Sequence, residues 1–526
     1  MRAPPSSDRQ RLATLTRMSS REERLLGHLA QWSRFKLLVV GDFMLDQMVM
    51  GAAERLSPDA PVPVLRVDSA NNIQETPGGA SNVAVCAAAL GGDVRCVGVT
   101  GNDAEARALR AALERAGCEA AHLIADPSRP TTVKRSLVGL AQHRHPQKMF
   151  RLDFESQEPL SVEIETQLLA SVERELAWCD VVALEDYNKG VCSPRFCAAL
   201  MQLARAAGKR VLVDPAAIEC YKKYAGAHLI TPNRSEAELA TGMNTPLDAS
   251  VPHTTMLAEK LLAQCALDAV VLTLDRHGAL LLEKGGAVVT VPTVARTIYD
   301  VTGAGDMVLA ALAAALANGV VLADAVSFAN HAAGLEVEVF GVQPIPLAQI
   351  RQSILARTAR AQGRVRALGD LLIELAVHRA SGKRIVLTNG NFDVLHAGHV
   401  AYLREARALG DVLVVGVNSD REVRRQKGAM RPIFEESERL EMLAELRSVD
   451  YVTVFEEPTA HELIRAVHPD FYVKGGDYKP SEIAEFALVE ELGIALRTLA
   501  HREGLGSRVV IERLREAERV ENAARS

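Results

Sequence analysis

Along most of this chain, short apolar runs rich in β-branched residues alternate with stretches of helical period. From Phe35, "FKLLVVGDFML" reads as a buried strand running into a polar turn. "GGASNVAVCAAALGG" reads as a helix of small apolar residues with a glycine stop, and "DVRCVGVTGND" as the next strand. "CDVVALEDY", "RVLVDP", "HLITPN" and "AVVLTLD" repeat the strand pattern, each ending in an acidic residue or Asn. The alternation predicts an α/β fold, a largely parallel sheet with helices on both faces. Polar residues just past strand ends are where such sheets bind ligands. "PVPVLRV" and "TTVKRSLVG" fall outside the rhythm and predict extra strands in a small lid sheet.

Near Pro346 the rhythm changes. Residues 346–381 show helical stretches only and read as a connector with a solvated, Arg-rich face. From "KRIVLTNG" a second alternating set begins, with "HAGHVAYLREARALG" and "ESERLEMLAELR" as helices and "DVLVVGVNSD" and "VDYVTVF" as strands. The expected organisation is a tail and lead helix over 1–34, a larger α/β domain over 35–345, the connector, and a smaller α/β domain over 382–526. No internal repeat joins the halves.

Length and composition narrow the class. At 526 residues the chain exceeds one ordinary core. Its 48% apolar and 24% charged residues are those of a soluble globular protein, and the net charge of −6 argues against nucleic-acid binding. The eight cysteines all lie between Cys86 and Cys265 without a C-x-x-C pair, which reads as buried thiols in a reducing cytoplasm. No apolar run approaches the ~20 residues of a membrane helix. The first 20 residues lack a secretory apolar region and read as a disordered tail, or as a start codon assigned upstream of Met18.

Two stretches carry chemistry. In "DVTGAGD" the amides of Gly303, Ala304 and Gly305 open a long helix and form an anion-binding cup, with Asp306 in the first turn. Such a carboxylate can take a hydroxyl proton during phosphoryl transfer, or it can simply stabilise the helix start. Its companions are "PNRSE" (Asn233, Arg234, Ser235, Glu236), "GDFMLD" (Asp42, Asp46), "PGGASN" (Gly78, Gly79, Asn82) and "EDYNKG" (Asp186, Lys189). In this order they resemble the ribokinase-like family of sugar kinases over roughly 35–345. The resemblance implies Asp306 as base, Gly303 to Gly305 as anion hole, Asn233 to Glu236 against ATP and Mg²⁺ with Glu236 at the metal, and the remainder at the sugar. "RLSPDAPVPVLRV", "RPTTVKRS" and "FRLDFE" look most like the kinase half of the ADP-heptose synthase family, which makes Lys134, Arg135 and Arg151 candidates for a substrate phosphate. Two departures stand out: Ala216 where Lys usually follows "VDP", and "FGVQPI" in place of K-x-G-T, which puts any alkali-cation site in doubt.

The second stretch is "NGNFDVLHAGHVAYL". His396 and His399 stand where a strand-end loop meets a helix, a position that suits phosphate, although Asp393 offers a third ligand for a metal. With "TNGNFD", "RRQKGAMRP", "ESERLEML" and "VKGGDY" the region resembles the cytidylyltransferase-like nucleotidyltransferases over about 382–515. That resemblance places Thr388, Asn391 and Phe392 near the nucleotide and His396 and His399 at its phosphates. It gives Lys427 to phosphate, Arg439 to the supporting helix, and Lys474, Gly475 and Asp477 to the base. Where heptose-type members carry Ser-Thr-Thr, this chain reads Gly506-Ser507-Arg508, leaving at most one hydroxyl.

Together the motifs imply two doubly wound domains, an N-terminal ribokinase-like fold with a small lid sheet and a C-terminal Rossmann-like nucleotidyltransferase fold. The implied activities are those of a bifunctional enzyme using ATP and Mg²⁺ on heptose phosphates. A separate phosphatase must act between the two steps, and pairing of two copies through the lid sheet is expected. The alternatives are another sugar phosphate or CTP or GTP in the second half, a C-terminal half retained only for binding, or a silent sensor.

Overall fold

The computed structural model describes residues 21–69, 72–140, 146–245, 250–293, 302–339, 341, 343–476, 482–499, 516–517 and 519. The tail before residue 21, Asp477, Gly506, Ser507, Arg508, and Phe340 and Val342 of "FGVQPI" lie outside the described residues. The chain forms two compact units, Trp32–Ile350 and a second made of 21–31 with 351 onward.

In the first unit a nine-stranded sheet has seven parallel strands. Their order runs Cys118–Ala125, Gly92–Thr100, Phe35–Gly41, Val181–Glu185, Arg210–Asp214, Leu229–Ile230, Ala269–Thr273, followed by an antiparallel hairpin of Ala279–Glu283 and Val288–Val291. Leu37 to Val40 are fully buried, as a strand covered on both faces requires. Helix Ala304–Ala317 is apolar nearly all round and is buried throughout its middle.

The expected polar turn after Phe35–Gly41 is absent. Asp42 alone interrupts the chain, and Phe43–Leu56 runs on as a 14-residue strand into a second sheet. That lid sheet pairs it with Pro63–Arg66, Ile73–Gly79 and Thr132–Leu140, and Gln147–Phe154 forms the far edge. Asp46 therefore sits on a lid strand, in register with Lys134.

The second unit contains five parallel strands in the order Tyr451–Phe455, Val412–Asn418, Ile385–Gly390, Phe471–Gly475, Ala495–Leu499. Numbered along the chain this is 3-2-1-4-5, and the order reverses beside Ile385–Gly390, whose carboxyl end is the expected ligand crevice.

Residues 346–381 are more than a connector. They form helices Leu347–Gln362 and Leu368–Ala380, and the second supplies Leu371 and Leu375 to the core of the C-terminal unit. Nor do all their arginines face solvent. Arg366 is buried and paired with Glu374 at 2.5 Å, and Arg351 donates to the Leu29 carbonyl at 3.1 Å, so helix Arg21–Ala30 belongs to this unit too. Breaking a buried pair strands one charge, whereas replacing both partners does not. Glu374→Ala should therefore destabilise the C-terminal unit by about 3–5 kcal/mol. The double change Arg366→Met with Glu374→Leu should cost much less, and chemical denaturation of the three proteins reads the difference.

Candidate active sites

Gly303, at φ 92°, turns the chain into helix Ala304–Ala317 in a conformation L side chains rarely adopt. Asp306 is thereby buried in the first turn, with both oxygens engaged. Asn82 Nδ2 donates to Oδ2 at 2.8 Å and the Tyr187 hydroxyl to Oδ1 at 3.1 Å. Burial pushes the Asp306 carboxyl up to about 7, and these two hydrogen bonds pull against it. A carboxylate so tuned can accept a proton near neutral pH. Gly305 borders the acidic group beside it, since a Cβ there would stand 3.3 Å from Asp214 Oδ2.

That group is Glu185, Asp214 and Asp306, whose ligand oxygens lie within 4.8 Å of one another. Glu185 is buried, and its Oε2 has no hydrogen-bond partner. Burial, then the charge of Asp214, drives the Glu185 carboxyl well upward; burial and Glu236 do the same for Asp214. An orphaned anionic oxygen among carboxylates fits a divalent cation. Neither Glu185 nor Asp214 was a sequence candidate, although both end strand runs whose acidic termini were visible. Tyr187 was missed beside Asp186 in the same motif.

The remaining kinase candidates divide. Asn233 and Glu236 form a capping box at the start of helix Arg234–Thr241, so Glu236 gives one oxygen to the Asn233 N–H at 2.8 Å. Arg234 pairs with Asp275 at 2.9 Å and Ser235 is exposed. Asp42 accepts the N–H groups of Tyr187 at 2.8 Å and Lys189 at 3.1 Å on Oδ2, while its buried Oδ1 has no partner. Burial and the charge of Asp186 raise its carboxyl to about 6. Asp46 lies against Gly78, where a Cβ would come within 2.6 Å of Oδ2. Gly79 leaves room for the Tyr187 ring, whose Cδ2 would lie 3.2 Å from an added Cβ.

Lys134 Nζ rests 4.2 Å from the centroid of that ring and its charge acts on Asp306. Arg135, the next residue on the strand, instead donates to Gln47 Oε1 at 2.6 Å. Arg151 grips Asp153 through two bonds of 2.8 Å, and its charge reaches Asp46. Two readings need correction. Asn82, expected at the sugar, donates to Asp306 instead. Asp186 accepts from Asn188 N–H at 2.7 Å, the Tyr224 hydroxyl at 2.7 Å and Lys223 Nζ at 2.5 Å, so it fixes the turn instead of facing a sugar. Lys189 Nζ pairs with Glu155 at 2.7 Å.

In the C-terminal unit a cleft of about 600 Å³ opens at the carboxyl ends of the strands, lined by Asn391, Phe392, His399, Lys427, Lys474 and Gly475 among others. His396 takes the N-cap position of helix Ala397–Arg407, and the His396 and His399 rings stack with centroids 3.9 Å apart. Phe392, at φ 45°, brings its ring to 5.3 Å from His399. Asn391 Nδ2 donates to Gln426 at 3.2 Å. Asp393 is committed elsewhere, since its Oδ1 accepts the Ile433 N–H at 2.5 Å and its Oδ2 accepts from Arg431. As a third metal ligand beside the histidines it does not fit. Thr388 is fully buried under the cleft and bonds the Tyr402 hydroxyl at 2.6 Å, which in turn donates to the Val473 carbonyl at 3.0 Å. Tyr402 lines the cleft, and nothing in its helical pattern singled it out. Arg439, fully buried, donates to the carbonyls of Asn391 at 2.7 Å and Asn418 at 2.9 Å and to Asp420 at 2.8 Å, tying the loops of the first two strands together. Burial lowers the Lys427 ammonium from its ordinary value.

Comparison with known proteins gives a family for each half of the chain. The pfkB family carbohydrate kinase model matches residues 35–348, and the cytidylyltransferase-like model matches residues 387–513. The first unit shares its fold with phosphofructokinase-2 from Escherichia coli, at a TM-score of 0.51 and 18% identity over 62% of this chain and 99% of that one. The bifunctional protein HldE of Halorhodospira halophila is 43% identical over 91% of this chain and 97% of its own length. That of Photobacterium profundum is 41% identical over 93% and 98%. With relatives this similar over nearly their whole length, and both halves matched, the chain belongs to the HldE family of bifunctional proteins, a carbohydrate kinase joined to a cytidylyltransferase-like domain.

Proposed function

We propose that the N-terminal unit phosphorylates D-glycero-β-D-manno-heptose 7-phosphate at C1 with ATP, giving the 1,7-bisphosphate. The C-terminal unit then transfers the adenylyl group of ATP to D-glycero-β-D-manno-heptose 1-phosphate, giving ADP-heptose and pyrophosphate. The observation that carries the first step is Asp306, buried at a glycine-opened helix start and oriented by two hydrogen bonds. Its carboxylate takes the C1 hydroxyl proton while the amides of Gly303 to Gly305 face the charge gathering on the transferred phosphoryl group. Glu185 and Asp214 would hold Mg²⁺, which supplies charge neutralisation between phosphates. Lys134 is the basic residue best placed for the 7-phosphate, whereas Arg135 is engaged with Gln47 and Arg151 with Asp153.

In the second step no side chain need form a covalent bond. The sugar phosphate oxygen attacks the α-phosphorus in line, and pyrophosphate leaves. His396 and His399 donate to the α-phosphate, Lys427 to the neighbouring charge, and Arg439 fixes the loops that carry them. Between the steps the 7-phosphate is hydrolysed by a separate phosphatase. The product suits lipopolysaccharide core or a related glycan, made in a bacterial cytoplasm. Among the described residues no helix is long and apolar enough to cross a membrane. A pairing of two copies through the lid sheet is supported by Phe150, Leu152 and Phe154, which alternate along the edge strand Gln147–Phe154 and are exposed.

Asp306→Asn keeps the shape of the base and removes its charge. ADP formation from heptose 7-phosphate should fall at least about 10²-fold, with pyrophosphate release from heptose 1-phosphate unchanged. Glu185→Gln should raise the Mg²⁺ concentration that half-saturates the kinase, and an unchanged Mg²⁺ titration would remove Glu185 from the metal. His396→Ala should lower pyrophosphate release with ATP by about 10²–10³-fold and leave ADP formation intact. Wild-type protein that releases pyrophosphate with CTP or GTP in preference to ATP would sink the adenylyl assignment. Sedimentation equilibrium with and without Phe150→Asp tests the pairing, which predicts a dimer that the substitution dissociates.

A further inference from the structure

At the end of strand Phe471–Gly475, the wall of the nucleotidyl-transfer cleft holds a partly buried lysine facing a carboxylate. Lys474 Nζ lies 3.4 Å from Glu485 Oε1, and the two side chains are 22% and 6% exposed. Both line the cleft. The carboxylate is held from several sides: the Ala460 N–H donates to the same oxygen at 3.4 Å, and the Tyr472 phenol touches it while donating to Asn389 Oδ1 at 2.6 Å. The Glu485 backbone is anchored as well, its carbonyl accepting the Val489 N–H at the start of helix Phe486–Glu491. Lys474 stands at a strand end with its ammonium 5.4 Å from the centroid of the Tyr472 ring. The pair thus joins two rigid elements across the cleft wall.

Burial disfavours the charged form of Lys474, and the Glu485 carboxylate works against that loss. The other charged groups on this cleft are Lys427, His399, Glu482 and Asp393, the last committed to Arg431 and the Ile433 N–H. Lys427 also carries positive charge, so it gives no help in keeping Lys474 protonated.

We propose that Glu485 is a positioning residue for nucleotidyl transfer, acting through Lys474: it holds the ammonium charged, desolvated and aimed into the cleft before an anionic substrate arrives. A donor already stripped of water and fixed in place needs no reorganisation when phosphate enters. The substrate then exchanges with the carboxylate for the ammonium. The inference rests on the nucleotidyl-transfer reading of the cleft.

The test separates the two. Competitive acetylation of the full chain with acetic anhydride across a pH series, read at the Lys474 peptide by mass spectrometry, titrates this amine without any turnover. Glu485→Gln should move the Lys474 midpoint down by about one pH unit, and Glu485→Asp, which keeps the charge, should restore it most of the way. The alkaline limb of pyrophosphate release should move with the midpoint, so that the variant loses kcat several-fold at pH 9 and much less at pH 7. ADP formation by the N-terminal unit should not change. An unmoved midpoint overturns the proposal, as does a midpoint that moves while the alkaline limb stays in place. Wild-type protein that released no pyrophosphate would sink the nucleotidyl-transfer reading itself, and the labelling midpoint would then decide on its own whether Glu485 governs Lys474.

Discussion

Gathering carboxylates in a poorly solvated interior is costly unless something offsets their repulsion, and the kinase unit gathers four around the ends of three neighbouring strands. Asp42 follows Phe35–Gly41, Glu185 ends the adjoining strand and Asp214 the one beyond, while Asp306 reaches them from its helix. Register brings Glu185 between Gly41 and Asp214. Gly41 has to lack a side chain there, since a Cβ would lie 2.0 Å from the Glu185 carbonyl oxygen. Burial first, and the charge of neighbouring carboxylates second, lift these groups from the ordinary carboxylate range, and the same two features make the site receptive to a divalent cation and to a proton. Most other features of the unit follow from holding that arrangement. Asp186 and Asp42 fix the turn that presents Tyr187, and the glycines of "PGGASN" admit the Tyr187 ring and the Asp46 carboxylate.

The two units solve the phosphate problem differently because the reactions differ. In the first, a proton must leave a neutral hydroxyl, and Asp306, the base we propose, sits where burial raises its affinity for a proton. In the second, the attacking phosphate oxygen is already anionic and no base is required. What the cleft offers instead is donors, with His399, stacked on His396, and Lys427 and Lys474 lining one crevice. Donors of like charge repel as carboxylates do. Among the described residues Arg431 has Asp393 as counter-ion, Arg439 has Asp420 and Lys474 has Glu485.

The sequence by itself determined a good deal. Strand and helix alternation gave both α/β units because parallel strands buried on two faces leave an unmistakable apolar run. The motifs put Asp306, His396, His399, Lys427 and Arg439 beside glycine turns or helix ends, and the structure has them there because local chain geometry fixes position at such points. It also found two of the five lid strands, Pro63–Arg66 and Thr132–Leu140, which break the rhythm.

Tertiary structure decided the rest. Which of several polar residues in a motif faces the site depends on partners far along the chain. Asp186 turns to Lys223 and Tyr224, Arg135 to Gln47, Asp393 to Arg431, and Asn82 to Asp306 across 224 positions. Glu185 and Asp214 looked like ordinary strand ends until the sheet order set them side by side. The arginines of 346–381 looked solvated until Arg366 met Glu374 and helix Leu368–Ala380 entered the second core. Local sequence fixes backbone conformation, but burial and charge pairing are set by neighbours that only the folded chain supplies.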